Sequence, residues 1–391
     1  MSLLVDPKTR EELQAFGLKD ADKCFSCSTC TVTCPLATPE NPFPRKIVRY
    51  LQLGLQSKVL ESPEPWLCYY CGDCSRQCPR GAEPGETMMA ARRYLTALYD
   101  WTGFARKFYT SKRFELLAVG YVALLVGLIM LIFNTGRPDW QHADINSLWP
   151  ARYVELADLA LAAVLSFLLL SNAWRAYQAV LGDLRHQIPL SLYVSQLQEL
   201  VVNFLTQKKF AACKDRTPWI IHLLIMTGYT TVFILVVVLL NGLTIESLKF
   251  QRGWPEYPLL HPIRLLGYYA TVAILVGTTY ALWGRWQKAK PAYQHSHPTD
   301  WMFLILLQLT TLTGIFVHFG RLLDWPATTY TLYVIHMMIA VPMLLLEVPF
   351  AKWAHLAYRP LVLYLMKVKE SYQAQQRLVP QESGDNLGPD S

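Results

Sequence analysis

Two stretches, CFSCSTCTVTCP at 24–35 and CYYCGDCSRQCP at 68–79, share the pattern C-x2-C-x2-C-x3-C-P and take up eight of the nine cysteines. Three thiolates at that spacing can wrap one face of a cubane, and a fourth leading into proline turns away to ligate the other cluster. The expected ligation is therefore crossed. Cys24, Cys27, Cys30 and Cys78 would hold one [4Fe–4S] centre, and Cys68, Cys71, Cys74 and Cys34 the second. Two structural zinc ions would leave the third cysteine and the proline of each copy without a role. The remaining thiol, Cys213, reads as an ordinary cysteine.

Histidines carry the second chemical signal, because ionisable groups inside apolar runs are costly there and point to function. His222 opens the third apolar run. His336 and His355 lie 19 residues apart in and beside the sixth, about 28 Å at the helical rise. Because the third and sixth runs cross in opposite directions, His222 and His355 reach the same inner depth, where two neutral imidazoles can clamp a haem iron. His336 lies toward the outer side, with His318 or His261 as its partner; His318 matches the depth better. The outer end also gathers Arg264, Arg321 and Asp324. Whichever of His261 and His318 does not ligate iron is free to bind a redox partner of the haem or relay its protons, work that suits an imidazole. His142, His186, His295 and His297 stand near helix ends and are expected to meet water.

The elements that position these groups are helical, and the expected fold class is all-α. The 391 residues are 52% hydrophobic with a net charge of +7, and the apolar residues lie mostly after position 113. That asymmetry divides the chain into a helical ferredoxin head over 1–105, a membrane bundle over 106–375 and a disordered tail over 376–391. Ile47, Val48, Leu51 and Leu55 follow two prolines at helical spacing, so a helix rather than a hairpin is expected between the cysteine motifs. Lys46, Arg49, Arg76 and Arg80 read as solvated charges, with a docking face for an acidic partner as the alternative.

Six runs of spanning length are expected at 114–134, 154–174, 218–241, 263–283, 301–320 and 328–351; Glu155 and Asp158 weaken the second. Lys and Arg cluster before the first run, after the second, fourth and sixth, which places both termini in the cytoplasm of a multi-pass inner-membrane protein. The opening MSLLVDPKTREELQAF carries charges where a signal peptide would be apolar, in agreement with a cytoplasmic head. One or two surface helices are expected over 176–217. No G-x-G-x-x-G fingerprint is present, so the chain itself is not expected to bind flavin, and no nucleic-acid partner is expected.

The paired cysteine motifs resemble the small iron–sulfur C subunits of heterodisulfide reductases. The stretches RTPWIIHLLIMTGY and IHMMIAVPMLLLEVPFAKWAHLAYRPL resemble the cytochrome b of those enzymes, their E subunit, and, more distantly, the membrane subunit of respiratory nitrate reductase. Both halves in one chain are similar to the C subunit of quinone-interacting membrane-bound oxidoreductase complexes. That resemblance implies two [4Fe–4S] clusters, two haems b, and menaquinone or ubiquinone as substrate. It also implies flavoprotein subunits as partners, linked onward to adenylylsulfate reductase in sulfur metabolism. Alternatives are a heterodisulfide reductase-like or sulfite-reduction-linked complex, and a haem-free membrane-anchored cluster protein. In the nitrate reductase type one helix supplies two histidines ten residues apart; here position 232 is valine, so that ligand does not carry over.

Overall fold

The computed structural model of the protein describes residues 5–134, 136–236 and 259–378. Every regular element among them is helical. The head contains α1 (Lys8–Gln14), α2 (Thr29–Thr33), α3 (Arg45–Gln52), α4 (Gln56–Leu60), α5 (Glu64–Leu67), α6 (Asp73–Arg76), α7 (Pro84–Tyr99) and α8 (Phe104–Thr110). The helix expected between the cysteine motifs is present but broken into α3 and α4. Gly54 stands at the break with φ 66°, where a Cβ would collide with the Asp6 carbonyl.

The body contains α9 (Lys112–Ile132), α10 (Ile145–Leu148), α11 (Ala151–Leu181), α12 (Leu190–Ser195), α13 (Leu197–Thr206), α14 (Thr217–Phe233), α15 (Pro262–Gln287) and α16 (Pro291–Gln294). It continues with α17 (Pro298–Leu322), α18 (Pro326–Pro342), α19 (Val348–Phe350) and α20 (His355–Leu378). Six stretches are long and apolar enough to cross a membrane: 112–132, 151–186, 217–236, 262–287, 298–322 and 326–350. The end of the expected third run, 237–241, lies outside the described residues, as does 379–391 of the expected tail. Helix α20 carries order through Leu378, past the expected tail boundary at 376.

Within the bundle α14 packs on α15, α15 on α17, α17 on α18 and α18 on α9. With no water to expel from lipid, close backbone approach through small residues supplies much of such packing. Gly228 of α14 illustrates it, since a Cβ there would lie 2.8 Å from Ile274 of α15. Helix α11 stands apart from this array. It packs mainly on α20, and its apolar window is left unburied for lipid.

The sixth run is not one straight helix, which corrects the simple rise between His336 and His355. Pro342 and Pro349 each lack a backbone donor. A π-helical segment, Met343–Glu347, follows the first, and Ala351 leaves the helical region at φ −119°, ψ −146° after the second. His355 then begins a new helix.

That new helix turns back into the head. Tyr358, Val362, Leu365 and Met366 of α20 share one core with Phe16, Ile47, Trp66, Met88, Tyr94 and Tyr99 of the head, and with Val180 of α11 and Leu192 of α12. Their helical spacing gives α20 an apolar stripe. Trp66 is fully buried, stacked on Tyr99 at 6.3 Å and edge-on to Tyr358 at 5.6 Å. The head is thereby tied to the far end of the chain by hydrophobic burial.

Candidate functional site

The two cysteine motifs have the same backbone shape. The second residue after the first cysteine of each copy, Ser26 and Tyr70, is left-handed, as is the fourth, Ser28 and Gly72. These turns aim backbone amides at sulfur: Ser26 N donates to Cys24 Sγ and Tyr70 N to Cys68 Sγ, both at 3.4 Å. Ala82 N donates to Cys78 Sγ at 3.3 Å. The short helices α2 and α6 begin just after the turns, carry Cys30 and Cys74 into buried positions, and pack side by side. Thr33 Oγ1 donates to Gln77 Oε1 across that contact at 3.1 Å.

Pairing α2 with α6 delivers each fourth cysteine to the opposite motif. One cavity, of about 300 Å³, is lined by Cys24, Cys27, Cys30 and Cys78. A second, of about 410 Å³, is lined by Cys34, Cys68, Cys71 and Cys74. The cysteine sets are those of the crossed scheme. Burial, reinforced by the nearby Cys68 and Cys71 sulfurs, pushes the Cys34 thiol up to about 12. Four sulfurs in such a setting become ligands when a cationic iron core neutralises them. Among the described residues no group of three or more His, Cys, Asp or Glu is arranged to hold a single metal ion, whereas a cubane requires a wider ring. The donor set and the amide-to-sulfur bonds fit a cluster in each cavity.

The second cavity has a further wall. Cys213, from the connection between α13 and α14, is buried there and lines the cavity together with Cys71. Phe210 of the same segment stacks on Tyr69 at 4.6 Å with 13° between planes. A solitary cysteine in a polar linker carries no spacing signal, so sequence reasoning missed this neighbour.

His222 of α14 and His355 of α20 meet. Their ring centroids are 5.8 Å apart at 70°. His355 Nδ1 donates to the Lys352 carbonyl, an orientation that leaves Nε2 as the metal-ready nitrogen. His222 Nδ1 is buried without a hydrogen-bond partner. The pair lines a cavity of about 340 Å³ with Tyr69, Gln207, Met226, Arg359 and Leu363. Two imidazoles from separate helices, one already held by a carbonyl, fit the axial donor set of a haem iron. Tyr69, between Cys68 and Cys71 in sequence, lines this cavity and the second cysteine cavity alike.

The outer histidines have other neighbours. His336 Nδ1 lies 2.9 Å from Thr313 Oγ1, and its ring faces Gly314. His318 Nε2 lies 2.9 Å from the Tyr268 hydroxyl, while His261 caps α15 by accepting from Ile263 N at 3.3 Å. Among the described residues neither His318 nor His261 makes a ring contact with His336. His318 stands one turn beyond Gly314, about 6 Å at the helical rise. Arg264 is buried, and Arg321 lies in the last turn of α17. Asp324 accepts from Ala143 N at 2.6 Å and lies 2.9 Å from His142 Nδ1.

Of the remaining groups, His297 departs from its reading and the head's cations keep theirs in part, Arg76 and Arg80 being exposed. His297 is half-buried and caps α17 in a reciprocal box with Asp300, rather than meeting water. Lys46 pairs with Glu64, Arg76 with Asp73, and Arg80 lies over the exposed Phe25 ring at 5.9 Å. Two carboxylic acids that the sequence reading passed over, Glu115 of α9 and Glu347 of the π segment, are almost wholly buried, and Glu115 Oε1 and both Glu347 oxygens have no hydrogen-bond partner among the described residues.

A helical head with two four-cysteine cavities, seated on six apolar helices, defines the class: a membrane-associated iron–sulfur electron-transfer protein. Residues 20–82 match the 4Fe-4S dicluster domain family. The head is similar to the iron–sulfur C subunit of the CoB–CoM heterodisulfide reductase of Methanopyrus kandleri, 34% identical over 119 residues, or 30% of this chain and 55% of that protein. It is also similar to a protein of Archaeoglobus profundus that is like the C subunit of heterodisulfide reductase, 32% identical over 96 residues, or 24% of this chain and 51% of that protein. The chain spans about half the length of these curated relatives. No solved structure matches it.

Proposed function

We propose that the chain is the membrane electron-transfer subunit of a quinone-dependent oxidoreductase complex, joining a membrane quinone to a soluble flavoprotein. Cys24, Cys27, Cys30 and Cys78 hold one [4Fe–4S] cluster; Cys34, Cys68, Cys71 and Cys74 hold the other. His222 and His355 hold an inner haem b. His336 holds an outer haem with His318 or His261. One-electron transfer is the chemistry these groups supply when bound.

The observation that carries this reading is the shared wall. Tyr69 separates the second cysteine cavity from the inner histidine pair by a single side chain. The protein's own work is placement and insulation: α2 and α6 set the sulfurs, α14 and α20 set the imidazoles, and α13 covers the inner cavity with Asn203 and Phe204. At the outer end, Tyr268 and His318 supply a hydroxyl and an imidazole where quinol would release protons. The head faces the cytoplasm of an inner membrane, a placement that the Lys and Arg distribution supports.

A flavoprotein partner linked to adenylylsulfate reductase follows from the likeness to quinone-interacting oxidoreductase complexes. A heterodisulfide reductase-like complex is the second reading, favoured by the similarity of the head to the C subunits of those enzymes. Purified chain should give b-type bands in reduced-minus-oxidised visible spectra and two cluster signals by EPR. Clusters without haem bands leave a haem-free anchored protein instead. Identification of the soluble subunits in a native pull-down decides between the two complexes.

A further inference from the structure

Two arginines far apart in sequence converge on one carbonyl of the second cysteine motif. Arg359 of α20 donates from Nη2 to the Cys68 oxygen at 2.8 Å and from Nε to the Trp66 oxygen at 3.0 Å. Arg92 of α7 donates to the same Cys68 oxygen, and to the Pro65 oxygen at 2.8 and 3.2 Å. Arg359 also lies 4.2 Å from the centre of the Tyr69 ring and lines the inner histidine cavity.

Neighbouring cations are matched by anions: Arg93 pairs with Glu86 at 2.9 Å and Lys352 with Asp300 at 2.5 Å. Among the described residues Arg92 and Arg359 bond only to carbonyls and rings. Arg92 is 9% exposed and shares the Cys68 oxygen with Arg359. A charge removed from water without a counter-charge is costly, so this corner calls for an anion. The thiolate ring that begins at Cys68 is the one within reach. Arg45 and Arg80 line the first cavity, but Arg80 is exposed and that ring is open to water at Cys27 and at Phe25, 60% exposed, so solvent screens those charges as it does not screen Arg92.

We propose that Arg92 and Arg359 are tuning residues for the second cluster, raising its reduction potential so that it, rather than the first, exchanges electrons with the inner histidine-held group. The inference rests on the cluster assignment proposed above. An electron added to an iron–sulfur cluster increases its negative charge by one, and a nearby fixed cation favours the more negative state. Arg359 belongs to both cavities, so its charge acts where the two meet.

The test is a potentiometric EPR titration of the full chain in detergent, with the second-cluster signal identified by its loss in Cys71→Ser. Arg359→Met, close in volume but uncharged, should move the second-cluster midpoint to lower potential and leave the first in place. Arg359→Lys should restore most of the shift, and Arg92→Met should act in the same direction. A second midpoint unmoved in Arg359→Met, or a first midpoint moved as far, overturns the proposal even if Arg92→Met does not fold. Wild-type chain lacking two clusters overturns the assignment itself, a result distinguishable because no midpoint is then recorded.

Discussion

Crossed ligation can be tested by exchanging single sulfurs. Cys34 belongs by sequence to the first motif and by position to the second cavity, where it stands with Cys68, Cys71 and Cys74. Cys78 is its mirror, lining the first cavity with Cys24, Cys27 and Cys30. Two cubanes require about eight iron atoms per chain. Cys34→Ser removes one of four ligands from the second cavity and none from the first, so iron should fall toward about four per chain where the weakened cluster is lost. Iron content alone cannot say which cluster went. The EPR signals are therefore assigned with Cys27→Ser and Cys71→Ser, whose motif and cavity agree. Cys34→Ser should reproduce the Cys71→Ser spectrum, and Cys78→Ser that of Cys27→Ser. If Cys34→Ser instead matches Cys27→Ser, ligation is local to each motif and the packing of α2 on α6 has been misread.

The facing rings of His222 and His355 lead to the expectation that alanine at either position removes one and the same b-type species; loss of different haems sinks the pairing. Trp66→Ala should destabilise the chain by about 3–5 kcal/mol, because the indole is fully buried between Tyr99 and Tyr358. A loss below about 1 kcal/mol in thermal unfolding would show that α20 does not share the head's core. Asp300→Asn should cost about 3 kcal/mol, near the low end for a broken buried pair, since the Lys352 side chain is 29% exposed. Adding Lys352→Met should recover much of that loss, and no recovery refutes the pair's role. Of His261→Ala and His318→Ala, one should lack the outer haem, and the other should keep both haems but lose quinol-dependent reduction. Retention of both properties in both variants removes the outer site.

The cysteine sets and the six spans were readable because their causes are local. Ligand spacing is imposed by a cluster a few residues wide, and spanning length by the thickness of lipid, so each leaves a regular mark within its own segment. The depth match of His222 with His355 needed only the alternation of helix direction. What tertiary structure decided has no such mark. The break after Pro349 put His355 on a separate helix, and that helix brought Tyr358 into the head's core and Arg359 to Cys68, 291 residues away. Cys213 reached the second cavity because Phe210 stacks on Tyr69, a contact no periodicity announces. That His336 lies against Thr313 and Gly314 was set by the register of α17 on α18. Sequence periodicity reports which face of one helix is apolar; which residues of two distant helices meet depends on their relative rotation and register, and those are set by packing across the whole core.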